Sequence, residues 1–234
     1  MEKVEPSALT RRSCAWLAAV TAVYVAGIFV LHGGLPFDHA LSDYFFTRPC
    51  VAHDPHACWF FNKSDKNSTF ILHTIPNRIF TYGGIAAGLV FIAGFFWAKL
   101  RPYRELAFLL VLGIGGVSGV VALLKEFTGH YCPSQLAFYN GPVGTPPPAK
   151  PFPDCFPASH PAPAFGLMVL YFAPLPRALR LAGLYGGILL GIVLGAIQMA
   201  RGEHFLSHNL ASLITALYFC ALVRAWYQIK GRKA

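Results

Sequence analysis

The chain has 234 residues, 55% of them apolar and only 12% charged, with a net charge of +9. A soluble domain carries roughly 25% charged residues, so most of this surface is not built for water. The bases lie in short clusters between apolar runs and form no single basic face, which excludes a nucleic-acid binder.

The length suits one domain, 1–234. A helix crosses the hydrocarbon core with roughly 17–25 residues. On that criterion spans are expected at 14–32, 79–98, 106–125, 160–176, 179–200 and 205–227. The first follows Arg11 and Arg12 as a signal peptide would, but its apolar stretch is longer than a signal core and no clear cleavage site follows. The fourth is the shortest and is bracketed by Pro161, Pro163 and Pro174. The fold class is therefore all-α, a polytopic bundle of six transmembrane helices.

Lys and Arg near the span ends set the orientation. Both termini with loops 99–105 and 177–180 hold twelve bases against three acids, and the opposite side holds seven of each. Both termini are thus expected in the cytoplasm. Segments 33–78, 126–159 and 201–204 face outward, and the first of these contains a run, Phe37 to Phe46, suited to an interfacial helix. All nine histidines fall in or beside these outer segments. Cys14 and Cys220 lie inside spans, whereas Cys50, Cys58, Cys132 and Cys155 lie outside. An oxidising outer compartment favours disulfides, and of three possible pairings the local one, Cys50–Cys58 and Cys132–Cys155, is expected. Span five carries Gly183, Gly187, Gly191 and Gly195 at every fourth position, and Gly84/Gly88 and Gly115/Gly119 repeat that spacing in spans two and three. Such grooves let helix backbones approach closely.

Three polar clusters interrupt the outer ends of spans three to six: 125–133, 156–160 and 198–208. Ionisable groups at membrane depth are costly and mark functional sites by default. Singly, each has a plainer reading: Lys125 snorkels from a helix end, His160 caps a helix, and His204 with His208 forms a packed polar pair. Together one Lys, one Arg and two His converge on one rim, which suits an anion, phosphate above all.

The order is Lys125, six intervening residues and Cys132-Pro133, then Pro157-Ala158-Ser159-His160, then Arg201-Gly202-Glu203-His204-Phe205-Leu206-Ser207-His208. It resembles the type 2 phosphatidic acid phosphatase superfamily, whose signatures read K-x6-R-P, P-S-G-H and S-R-x5-H-x3-D, over roughly residues 80–225. The resemblance implies a metal-free membrane phosphatase that uses no cofactor and acts on a phosphorylated membrane lipid at the periplasmic face of a bacterial inner membrane. By position, His204 would be the nucleophile that forms a phosphohistidine, and His160 the general acid. Lys125, Arg201, Ser159 and Gln198 would hold the phosphoryl oxygens. The departures are Cys132 for Arg, Ala158-Ser159 for Ser-Gly, Ile197-Gln198 for Ser-Arg, and His208 for the Asp that orients the nucleophile.

Candidate substrates are a lipid A phosphate, undecaprenyl diphosphate or a glycerophospholipid phosphate. Alternatives of the same fold are a lipid-to-lipid phosphotransferase and a non-catalytic lipid binder. A zinc hydrolase built on Glu203, His204 and His208 is a third alternative, opposed by Lys125 and Arg201, which repel a cation.

Overall fold

A computed structural model describes residues 8–47, 55–139 and 153–230. Among these the chain is helical, and the one pairing of extended backbone is an isolated bridge between Phe46 and Trp59. Helix α1 is Ala8–His32 and α2 is Asp38–Phe45. Helix α3 is Lys66–Phe96. Helix α4 covers 104–128, with π-helical Val111–Gly116 between Arg104–Leu110 and Val117–Thr128. Helix α5 is Ala162–Phe172, α6 is Arg177–Ala200 and α7 is Leu206–Lys230.

Among the described residues five helices are long and apolar enough to cross a membrane: α1, α3, α4, α6 and α7. The chain is a multi-pass membrane protein. The expected fourth span is the exception. It is a short α5 whose second half, Leu167–Phe172, is wound as a 3-10 helix. The prolines explain its limits. Pro161 and Pro163 fit at a helix start, where their missing N–H groups are not needed. Pro174 holds Ala173 in extended backbone, which ends the helix. Ala162 through Gly166 are all buried, as are Met168, Val169 and Leu170. Burial of these residues makes α5 an inner helix of the bundle.

The glycine spacing explains how α5 is held. A Cβ on Gly183, Gly187 or Gly191 would meet Leu170, Ala164 and Met168, or Phe165. The groove expected along α6 therefore seats α5, and Gly195 at its end faces Asn209 of α7. On the other side, a Cβ on Gly166 would lie 2.0 Å from the Gly113 carbonyl oxygen, so α4 and α5 touch backbone to backbone. Gly115 and Gly119, expected to form a close-packing pair in span three, have nothing within 4 Å; Gly113 and Gly116 do that work instead. Leu109, Val117, Val121, Phe165, Met168, Val169, Phe219 and Val223 build the core around α5.

Helix α3 starts earlier than the apolar run at 79–98. Asp65 accepts a hydrogen bond from the Ser68 N–H at 2.9 Å and caps the helix at Lys66. Phe70–Thr74 within it is π-helical, and the Gln198 side-chain amide donates to the Leu72 carbonyl there at 3.5 Å. The start of α3 is thereby tied to a polar residue near the end of α6.

The bundle has two ends. Helix α4 runs from Arg104 to Thr128 while α7 runs the other way. Tyr227 donates to Glu105 at 2.7 Å at one end. At the other end the loop after α5's predecessor, 153–161, joins the start of α7: Ala158 N–H donates to the His208 carbonyl at 3.0 Å and Ser212 donates to the Ala158 carbonyl at 2.5 Å.

Candidate active site

The three polar clusters meet at that second end. Gly129, at φ 61, ends α4 in the left-handed conformation and turns the chain toward Cys132. A disulfide joins Cys132 to Cys155, with Cα atoms 5.2 Å apart. Thr128 donates to the Phe156 carbonyl at 2.6 Å, and Cys155 N–H to the His130 carbonyl at 2.9 Å. Ser134 N–H donates to the Gly202 carbonyl at 2.9 Å, tying the first cluster to the third. Gly202 is required twice over: its φ is 71, and a Cβ there would lie 2.3 Å from the Trp59 ring. Trp59 itself sits in a buried cluster with Phe46, Cys58 and Tyr139. Of the two expected disulfides, Cys132–Cys155 is present. Cys58 is disulfide-bonded, and Cys50 lies outside the described residues.

The rings of His160 and His204 lie 6.1 Å apart and those of His204 and His208 5.8 Å. His204, His208, Gln198 and Arg201 are buried, and Ser159 and His160 are half-buried. Arg201 is 1% exposed, and its Nη2 donates to Thr69 Oγ1 at 3.1 Å. Its Nε and Nη1 are buried without a hydrogen-bond partner, as are Gln198 Oε1, His160 Nδ1 and His208 Nδ1. Buried polar atoms are seldom left unpaired, and a buried guanidinium with open N–H groups suits an anionic partner. Lys125 donates to the Asp154 carbonyl at 2.5 Å.

The charges agree with this reading. Burial pushes the His160 imidazole down to about 3, and His73, Lys125 and Arg201 lower it further. Burial also holds His204 well below the ordinary range, with Lys125, His208 and His160 adding to the effect against a backbone bond to Cys155. Both rings are neutral at pH 7 and carry a free lone pair. Burial lowers Arg201 as well, opposed by Glu203. The site is desolvated, positive and lined by neutral imidazoles.

Several neighbours were not singled out from sequence. His73 lies 4.4 Å from the His160 ring, and His130 lies 5.7 Å from that of His208. Their one-sidedness was the only sequence signal for them. Asp38 of α2 is buried and accepts the Ser207 N–H at 3.0 Å, capping α7 from a distant segment. Nothing local marks it. The Cys155 Sγ lies 3.3 Å from His204 Nδ1. His208, by contrast, makes no hydrogen bond to His204, so the position that sequence offered as the orienting group meets the ring edge-on only. His53 lies outside the described residues.

Cys155, His204 and His208 bring ligand-type atoms within 4.8 Å of one another. They fit a metal poorly. Cys155 is spent in the disulfide and offers no thiolate. Glu203, the third member of the zinc alternative, forms an ion pair with Lys63.

A multi-pass helical bundle that gathers Arg201 and the His160, His204 and His208 rings at one end defines the class: a membrane protein with a buried polar cluster among its helix ends. The PAP2 superfamily model matches residues 104–232, more than half of the chain, and the chain belongs to that superfamily. Phosphatase-type chemistry is what that membership suggests. No individual curated protein and no solved structure matches the chain.

Proposed function

We propose that the protein is a metal-independent lipid phosphatase that hydrolyses a lipid phosphomonoester or diphosphate through a phosphohistidine. The observation that carries this is Arg201: a guanidinium 1% exposed with two unpaired nitrogens, close enough to His160 to lower it further, with the His204 ring 6.1 Å from that of His160. Arg201 and Lys125 hold the phosphoryl oxygens and offset charge as it develops. His204 Nε2 attacks phosphorus, the bond to the lipid oxygen breaks, and a proton held on the His160 side passes to that oxygen. Water then attacks phosphorus, the P–N bond breaks, and its proton returns to His160. His160 is neutral in the empty site, so the proton must arrive with the substrate phosphate, whose negative charge favours the imidazolium. Ser159 and Gln198 add hydrogen bonds to the phosphoryl group.

The reading includes a topology. The whole of 1–234 is one domain of six crossings, with α5 as the fourth. A segment shielded by α4, α6 and α7 need not meet the length rule that applies against lipid. Both termini face the cytoplasm, the motif end faces the periplasm of a bacterial inner membrane, and α2 lies in the outer interface. A lipid fits this placement because its headgroup reaches the rim while its chains stay in the bilayer.

The test is phosphate release from lipid A, undecaprenyl diphosphate and phosphatidic acid by wild type and His204→Ala, with EDTA present throughout. Wild-type release that vanishes in His204→Ala is expected. Turnover that survives the substitution would refute the nucleophile. Label that moves to a second lipid instead of water would make the protein a phosphotransferase.

A further inference from the structure

The end of the bundle away from the histidines holds a cavity of about 400 Å³ between α3, α4 and α7. Its size is that of a small-ligand site, which runs to about 300–1,000 Å³. Phe91, Phe108, Leu112 and Trp226 line the apolar part, and Arg101 and Arg104 stand at the polar part.

Arg104 is built into this cavity. A Cβ on Gly94 would lie 2.2 Å from Arg104 Cγ, so the glycine makes room for the arginine stem. The guanidinium stacks over the Phe95 ring at 3.8 Å. Its Nε is buried and has no hydrogen-bond partner. The Glu105 carboxylate, also in the lining, accepts from Tyr227 at 2.7 Å. Among the described residues Arg101 and Arg104 form no ion pair. Two arginines against one acid leave the mouth positive. The adjoining Trp97, Tyr103 and Trp226 are exposed, and such rings mark the headgroup level of a bilayer.

We propose that this cavity binds an anionic phospholipid of the leaflet opposite the histidine site, with its phosphate on Arg101 and Arg104 and an acyl chain against Phe91, Phe108 and Trp226. A bare phosphate would satisfy the arginines and leave the aromatic walls empty. A zwitterionic lipid would fill the walls but bring its own cation to a cationic mouth. The proposal concerns binding and is independent of the reaction at His204.

The test uses the full chain in a neutral detergent and short-chain lipids brominated on the acyl chain. Quenching of Trp226 fluorescence is read as the difference between wild type and Trp226→Phe. Saturable quenching by a phosphatidylglycerol is expected, with apparent affinity lowered roughly five- to tenfold in Arg104→Gln, the effect of one base near an anionic headgroup. Should Arg104→Gln fail to accumulate, Arg101→Gln, at the exposed edge of the same mouth, carries the same expectation. Equal quenching by a phosphatidylcholine, or an unchanged affinity in the arginine variants, would overturn the proposal. Displacement of the lipid by an equal concentration of inorganic phosphate would assign the site to free phosphate instead.

Discussion

Arg201 is buried because the chain around it has no alternative. Gly202 turns sharply against Trp59, and Arg201 at the end of α6 donates to Thr69. Replacing it by Lys keeps one charge but loses the planar fork. Arg201→Lys is expected to lower kcat/KM for a lipid phosphate by at least about tenfold, with one lost charge-assisted bond costing roughly 1.5–3 kcal/mol. Arg201→Gln should cost more, and steady-state kinetics would check both.

His160 makes a second prediction at this scale. Its folded value of about 3 lies below the unfolded value of 6.5. Between those values the unfolded chain binds a proton that the native chain does not. The stability associated with a neutral His160 is therefore complete above pH 6.5 and is lost as pH falls toward 3. His204 acts in the same direction. Thermal unfolding midpoints of the substrate-free protein should fall from pH 7 to pH 5, and less steeply in His160→Gln. A variant that tracks wild type across that range would exclude His160 as a source of the slope.

At the scale of elements, two constructions hold the site. The first is the seat of α5 in the glycine groove of α6. Gly191→Ala would press a Cβ to 2.2 Å from Phe165, whereas Gly186→Ala meets nothing within 4 Å. Overpacking a helix interface costs about 1–3 kcal/mol, so Gly191→Ala is expected to lower the unfolding midpoint and Gly186→Ala to leave it unchanged. The second is the Cys132–Cys155 disulfide, which spans a sequence separation of 23 and fixes the loop after α4 to the loop before α5. Closing a loop of that size stabilises by about 3 kcal/mol. Paired Cys132→Ser and Cys155→Ser should weaken the fold by that order. Activity should suffer beyond the stability loss, because the Cys155 Sγ also packs 3.3 Å from His204 Nδ1. Activity of the double variant, assayed well below its midpoint, separates the two effects.

For the whole molecule, the testable statement is sidedness. Cysteines placed at Arg101 and at Arg177 should resist a membrane-impermeant maleimide in intact cells, and one placed at Asp65 should react. Labelling at Arg177 together with protection at Arg101 would mean that α5 does not cross, leaving five crossings.

Sequence by itself determined the class, since a low charge content and long apolar runs leave a chain no stable place but a membrane. It also supplied the order and spacing of the three polar clusters, because ionisable groups interrupt the outer ends of the apolar runs there. Tertiary structure decided the rest. Span boundaries moved at α3 because Asp65 caps the helix upstream of its apolar run. The short α5 is tenable only because α4 and α6 present glycines to it, a three-body fact that no window of residues contains. Asp38 on α7, Thr69 on Arg201 and His73 on His160 are contacts between segments remote in the chain. A side chain's charge is written in the sequence, but the burial that neutralises His160 and orients Arg201 is not, because it depends on what other helices exclude water from around them.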